Sequence, residues 1–93
     1  MNKTDVMETI ENTFYVVAVK DELTQTFLNP TFGDNMDALK RIFMTQIKTV
    51  PIWRENPTDF SLYLLGTFNQ STGVLTSQIE KITSGYINKM EEN

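Results

Sequence analysis

The fold of this chain is decided by the stretch FSLYLLGTF, residues Phe60–Phe68. Side chains of a β-strand point alternately to its two faces, and this stretch is rich in the aromatic and β-branched or bulky residues that strands favour. One face would carry Phe60, Leu62, Leu64, Gly66 and Phe68, and the other would carry Ser61, Tyr63, Leu65 and Thr67. The first face has no polar side chain, so we expect it to pack against a helix.

The residues on either side of this strand predict its neighbours. Asn69–Gly73 is typical of a hairpin loop, because its glycine is placed to take the positive φ that closes such turns, and Val74–Gln78 would return as the next strand. Upstream, Phe14–Val19 is rich in β-branched and aromatic residues and predicts a central strand. Thr26–Leu28 predicts a second short strand, which Pro30 confines to an edge or a turn.

Between these two pairs of strands the sequence predicts one helix. Its expected N-cap is Asp34, with Asp37 in the first turn, and its expected end is Val50-Pro51. An apolar stripe at spacings of three, four and seven residues comprises Met36, Leu39, Ile42, Phe43 and Ile47. Val50–Pro57 would be a loop. The expected core consists of Leu39, Phe43, Leu62, Leu64 and Phe68.

These elements predict an α+β fold: a small antiparallel sheet in the order strand-strand-helix-strand-strand, with one helix packed on one face. We expect a single domain over residues 14–79. An N-terminal extension, residues 1–13, has apolar residues at a spacing that permits a short helix. Residues 80–93 would form a polar C-terminal tail that docks as a short helix or stays mobile.

Composition excludes most chemistry. The 93 residues contain no cysteine and no histidine, which removes disulfides, thiolate nucleophiles, the usual general base and the commonest metal ligand. No glycine spacing is typical of a phosphate loop, and no run of oxygen ligands resembles a calcium site. We therefore expect no enzyme activity, no cofactor and no metal.

Targeting signals are also not predicted. The first 13 residues interleave acidic and apolar side chains, whereas a secretory signal needs a continuous apolar run. The longest apolar run, Phe14–Val19, is far shorter than the roughly 20 residues needed to cross a bilayer. We expect an intracellular protein with no membrane contact.

The charges are unevenly distributed. Eight basic and twelve acidic residues give a net charge of −4, which argues against strong nonspecific nucleic-acid binding. The segment Ala38–Arg54, however, has no acid. Its basic residues are Lys40, Arg41, Lys48 and Arg54. They form either a solvated helix face or a contact to nucleic acid, and Trp53 beside Arg54 either packs in the core or stacks on a base.

A second surface predicts assembly. If the strands align, the sheet face away from the helix would expose Tyr15, Val17, Val19, Tyr63 and Leu65. A monomer seldom tolerates so large an apolar patch, so either a second subunit covers it or bases stack on it. Because the patch has few cations, a homodimer is the favoured interpretation.

The sequence resembles a known family, the small nonstructural protein of gokushovirus-type microviruses, which are phages with circular single-stranded DNA. The matching residues run from about Tyr15 to Gly73 and include Val17–Asp21, Phe27, Pro30, Phe32, Ala38, Arg41, Phe43, Pro57–Phe68 and Thr72-Gly73. The most specific element is the run Pro-x-Asp-Phe-x-Leu-Tyr-x-Leu-Gly-x-Phe. The family has Asp at the position of Asn69 and a shorter N-terminus than this chain.

The resemblance implies a protein of the host bacterial cytoplasm that is not part of the capsid shell and is linked to single-stranded DNA handling or to control of replication and packaging. It supplies no catalytic residue. Two hypotheses follow: a weak single-stranded DNA-binding module that uses the basic segment and Trp53, and an adaptor dimer that binds phage replication or capsid proteins and contacts no nucleic acid. Phosphate contacts make affinity depend on salt, so salt dependence discriminates them.

Overall fold

The computed structural model describes residues 12–86 of the chain. The strands are β1 (Thr13–Asp21), β2 (Thr26–Phe27), β3 (Thr31–Gly33), β4 (Phe60–Asn69) and β5 (Leu75–Ser84), and the helices are α1 (Met36–Thr49), α2 (Pro51–Glu55) and a 3₁₀ turn (Pro57–Asp59). The predicted helix at the N-terminus lies outside the described residues. Neither α-helix of the described part is long and apolar enough to cross a bilayer.

The strands form one antiparallel sheet in the order β2-β1-β4-β5, and β3 also pairs with β1. One edge of β1 pairs with β4 along its whole length, from Thr13↔Asn69 to Asp21↔Phe60. The opposite edge of β1 therefore accommodates both β3 and β2. The helix α1 packs on one face of this sheet, which confirms the predicted α+β class.

The core lies between α1 and the half of the sheet formed by the later part of β1 and the first half of β4. Its buried members are Val17, Val19, Phe43, Ile47, Phe60, Leu62 and Leu64. On α1, Phe43 is 1% exposed and Ile47 is 0% exposed, one helical turn apart. Leu39, which was expected to be fully buried, packs against this core with part of its surface exposed.

A β-bulge in β4 changes which residues face the core. Val16 pairs with Gly66 but Val17 pairs with Leu64, so Leu65 is an extra residue with no partner on β1. One extra residue moves every later side chain to the other face. The expectation that Phe68 shares the core face with Leu62 and Leu64 was therefore wrong: Phe68 pairs with Phe14, on the face away from α1.

The predicted end of α1 at Val50-Pro51 is confirmed, since Val50 is its C-cap, but the N-cap and the segment after the helix differ from the prediction. The N-cap is Asn35, not Asp34: the Asn35 side-chain oxygen accepts from the amide of Ala38 at 2.9 Å. After α1 ends at Thr49 the chain does not form the predicted loop but enters α2, whose first residue is Pro51. Proline is favoured at the first helical position because the amide it lacks would have no partner there.

The first five residues of the predicted tail, residues 80–84, are strand. β5 continues to Ser84, well past the expected strand end at Gln78 and past residue 79, where the domain was expected to end. The register between β4 and β5 shifts twice along this strand, next to Leu62 and next to Gly66. Ile82 packs against the core.

Candidate nucleic-acid interface

The sheet face away from α1, here called the open face, is defined by alternation along β1. Because Val17 and Val19 point into the core, their neighbours point the other way. Directly paired residues share a face, and the pairs are Lys20↔Phe27, Val16↔Phe32, Ala18↔Tyr63 and Phe14↔Phe68. The open face therefore carries Phe14, Val16, Ala18, Lys20, Phe27, Phe32, Tyr63 and Phe68. Most of its surface is aromatic.

The aromatic side chains form two edge-to-face pairs. The rings of Phe27 and Tyr63 are 5.3 Å apart at 85°, and those of Phe14 and Phe32 are 6.0 Å apart at 70°. Such pairs hold each ring in a fixed orientation. Their outer members stay accessible, since Phe32 is 64% exposed and Phe27 is 39% exposed.

A lysine lies over the first pair. The ammonium of Lys20 is 5.4 Å from the ring centre of Phe27 and 5.3 Å from that of Tyr63. At these distances the cation is attracted by both ring faces. Ala18, which pairs with Tyr63, has a small side chain and is 3% exposed. Lys20 is thus held where a base stacked on either ring would meet a positive charge.

The carboxylate of Glu22 links this cluster together. It lies 3.7 Å from the ammonium of Lys20 and 3.7 Å from that of Lys81, and it accepts a hydrogen bond of 3.0 Å from the hydroxyl of Tyr63. Desolvation by burial would raise the pKa of Glu22, but the Ser61 and Tyr63 hydroxyls and the two lysines outweigh it and lower the pKa below its ordinary value. The pKa of Tyr63 is raised above its ordinary value, mainly because burial desolvates the hydroxyl and also because it donates a hydrogen bond to this carboxylate.

The sequence-predicted basic residues lie elsewhere. Lys40, Arg41 and Lys48 are exposed on α1 and Arg54 is exposed on α2. The indole of Trp53 stacks on Phe60, with ring centres 5.1 Å apart and planes 25° apart, and it packs against the core. The sequence left two roles open for Trp53, packing in the core and stacking on a base. In the structure it packs against the core. That the helix-layer cations contact DNA stays a prediction.

The predicted dimer residues do not form one patch. Val17 and Val19 are 2% and 9% exposed because they lie in the core under α1, so the expectation that they are uncovered was wrong. Tyr15 packs against the same core, Leu65 lies at the bulge, and Tyr63 is on the open face. The sequence pattern assigned all five to one face because it could not reveal the register, in which Val17 pairs with Leu64 and Ala18 pairs with Tyr63.

Sequence reasoning placed Tyr63 on the uncovered sheet face but missed the other residues that form the open-face cluster. Phe14 and Lys20 are an even number of positions apart in β1, so their side chains point to the same face of the sheet. This alternation is visible in the sequence. Phe27 and Phe32 reach the same face only because β2 and β3 pair with the same edge of β1, on either side of Asn29-Pro30. Nothing local in the sequence predicts that pairing.

The helix layer carries a second feature, a groove of ≈ 470 Å³ between α1 and the segment joining β2 to β3. Its lining includes Leu28, Asn29, Thr31, Leu39, Ile42 and Gln46. Ala18 and Phe32 of the open face also line it. Apolar walls with a few amides suit an apolar side chain of a protein partner.

Comparison with known proteins identifies a family. No match was found among curated proteins or among solved structures. The family described as Phage ORF5 protein matches residues 14–88. This range includes every strand and helix described above except Thr13, the first residue of β1, and covers well over half of the chain. The chain therefore belongs to the Phage ORF5 protein family.

Proposed function

We propose that this phage protein binds single-stranded DNA on the open face of its sheet, as a binding protein without catalytic activity that acts in the host bacterial cytoplasm. The family supports a phage protein. The resemblance to the nonstructural protein of gokushovirus-type microviruses indicates single-stranded DNA as the ligand, because those phages have single-stranded DNA genomes. Control of genome replication or packaging is the corresponding role.

One observation carries this proposal: aromatic rings and a lysine share one face of an antiparallel sheet whose helix packs on the other face. Antiparallel sheets with this arrangement are used to stack unpaired bases. Base stacking on an aromatic side chain contributes about 1–3 kcal/mol per base and tolerates any sequence. Phe27 and Phe32 are exposed enough to receive bases, and the ammonium of Lys20 lies over the ring of Phe27.

The charges favour stacking over phosphate neutralisation. Residues 12–86 contain six basic and seven acidic side chains, so the described part is nearly neutral, and five of the twelve acids lie in the terminal segments. On the open face Lys20 and Lys81 share the carboxylate of Glu22. With at most two lysines contacting phosphates, log affinity would fall with log salt at a slope no steeper than about −1.4 for a single strand.

Titration of labelled single-stranded and duplex DNA at two salt concentrations tests the proposal. We expect preference for the single strand, and the variants Phe27→Ala and Phe32→Ala should each weaken binding by about 5- to 150-fold, the equivalent of one lost stacking contact. Ile52→Ala is the matched control, because Ile52 is an apolar residue 62% exposed on α2. It should bind like the unmodified protein.

Two results would oppose this proposal. Failure of the unmodified protein to bind single-stranded DNA at low salt would remove it. If Lys40→Glu with Lys48→Glu abolished binding while Phe27→Ala and Phe32→Ala did not, the DNA would lie on the helix layer. That outcome would support the interface predicted from the sequence, Lys40, Arg41, Lys48, Trp53 and Arg54.

The second candidate function is a protein–protein adaptor in phage replication or assembly, and the groove beside α1 favours it. Ile42, at its rim, is 56% exposed. The variant Ile42→Asp would place a charge there and should abolish binding to a co-expressed replication or capsid protein, whereas Phe27→Ala should not. The adaptor would bind its partner in the absence of DNA.

A further inference from the structure

The two edges of the sheet are built differently. The β2/β3 edge consists of strands of two and three residues, separated by a segment that contains Asn29-Pro30. Short strands and proline are devices that prevent one sheet edge from pairing with another. The β5 edge is ten residues long and has no proline. Its register against β4 shifts at Gln78-Ile79 and at Ile82, but it is not divided into short strands. Only the β2/β3 edge is interrupted by proline and short strands.

The first half of β5 has the composition of a strand that pairs on both sides. Leu75–Ile79 contains no charged residue, and all its side chains are exposed, with Leu75 at 71% and Ile79 at 66%. β5 pairs only with β4 among the described strands. An edge strand directs half of its backbone amides and carbonyls outward, where another strand can bond them.

The overall shape leaves this part of the edge accessible. The described chain is elongated, with extents of 53 × 29 × 16 Å. The buried side chains by which the sheet contributes to the core are Val17, Val19, Phe60, Leu62 and Leu64. Leu75–Ser77 pairs with Gly66–Phe68, beyond that region. A second strand could therefore approach β5 here without contact to α1 or α2.

We propose that two copies of this chain pair through β5, antiparallel and about a two-fold axis at Ser77, to form one continuous sheet. In this register Leu75 lies opposite Ile79 of the partner subunit, and Thr76 lies opposite Gln78 of the partner subunit. Uncharged residues meet uncharged residues throughout. An axis at Glu80 or Lys81 would instead place like charges directly opposite each other, which is destabilising.

This dimer is independent of the proposed DNA binding and uses a different surface from Tyr15, Val17, Val19, Tyr63 and Leu65. A two-fold axis that extends a sheet through an antiparallel edge is perpendicular to the sheet, so it keeps the open faces of both copies on the same side. The dimer would present two aromatic clusters as one surface.

Disulfide trapping tests the axis directly, because the chain has no cysteine of its own. Ser77→Cys should form a disulfide-linked dimer under mild oxidation, since residues on the axis face each other. Ser71→Cys is the matched control: Ser71 is exposed in the hairpin loop, away from the paired edge, and should stay monomeric on a denaturing gel. Equal trapping of both variants, or of neither, would overturn the proposal.

Mass in solution provides the second measurement. Light scattering should give about twice the chain mass of 10.7 kDa for the unmodified protein. Ile79→Lys should give the single-chain mass with unchanged circular dichroism, because a charge on an edge strand blocks pairing. Ile52→Lys changes an equally exposed isoleucine on α2 and should stay dimeric. A monomeric unmodified protein at high micromolar concentration would overturn the proposal.

Discussion

At the scale of single residues, Glu22 governs the electrostatics of the open face. Its carboxylate lies 3.7 Å from both Lys20 and Lys81, so it competes with any phosphate for these lysines. It also accepts the hydroxyl of Tyr63 and holds one ring of the aromatic cluster. The same residue thus stabilises the cluster and limits how strongly it attracts an anion.

Replacing Glu22→Gln should strengthen binding to single-stranded DNA. The amide keeps a hydrogen-bond acceptor for Tyr63 but no longer neutralises the lysines, so the slope of log affinity against log salt should steepen by about 0.7 for each lysine that gains a phosphate. Fluorescence anisotropy at several salt concentrations measures this. Glu55→Gln, an exposed position on α2, serves as the control and should raise affinity much less. Unchanged binding in Glu22→Gln would place the DNA elsewhere.

The same carboxylate predicts the dependence of stability on pH. Because folding lowers the pKa of Glu22 below its ordinary value of 4.5, its ionised form stabilises the fold above that pH, and this stabilisation is lost as the pH falls through the lowered pKa. The melting temperatures of the unmodified protein and Glu22→Gln should differ by a constant amount above pH 4.5 and converge at lower pH. A difference that persists unchanged in acid would contradict this account.

At the scale of elements, the bulge at Leu65 determines which side chains form the core and which form the open face. Strand existence, the hairpin at Gly73 and the apolar stripe of α1 were predictable, because each depends on local periodicity or on a turn residue. The bulge was not, because it depends on how β4 pairs with β1 across more than 40 residues. The wrong face assigned to Phe68 follows from that one feature, whereas the wrong face assigned to Val17 follows from the β1/β4 register, which pairs Val17 with Leu64.

Gly66 permits the irregular pairing beside the bulge. A Cβ atom at this position would overlap the backbone carbonyl of Thr76 on β5, and backbone cannot move aside as a flexible side chain can. We expect Gly66→Ala to lower the free energy of unfolding by about 1–3 kcal/mol. Gly33→Ala is the control, since the nearest atom there is the Leu39 side-chain Cδ2 at 3.2 Å. Equal melting temperatures for the two variants would contradict this register.

The packing of α1 on the sheet depends on Phe43. Its side chain is 1% exposed, and truncation to alanine would leave a cavity that so small a core cannot close. Phe43→Ala should lower the free energy of unfolding by about 3–5 kcal/mol, measured by urea denaturation. Ile42→Ala, one residue along and 56% exposed, should change it much less. Comparable losses in both variants would mean that the helix has a different rotation.

At the scale of the whole molecule, the sheet separates two surfaces of different chemistry. The open face offers aromatic rings and two lysines that share a carboxylate, and the helix layer offers exposed cations and an apolar groove. Sequence reasoning found the helix-layer cations because they are contiguous in the chain. It missed most of the open-face cluster because its members come from β1, β2, β3 and β4 and meet only in the folded sheet.

The proposal that bases stack on the open face can be tested by photo-crosslinking. Single-stranded DNA that contains 5-iodouracil is crosslinked to the protein, and mass spectrometry identifies the attached peptides. Iodouracil reacts with aromatic side chains that stack on it, so the attachment sites identify the interface. We expect attachment at Phe27, Phe32 or Tyr63. This attachment should be lost when an excess of unlabelled single-stranded DNA competes for the protein. Attachment confined to Trp53 and the adjoining residues of α1 and α2 would contradict the proposal.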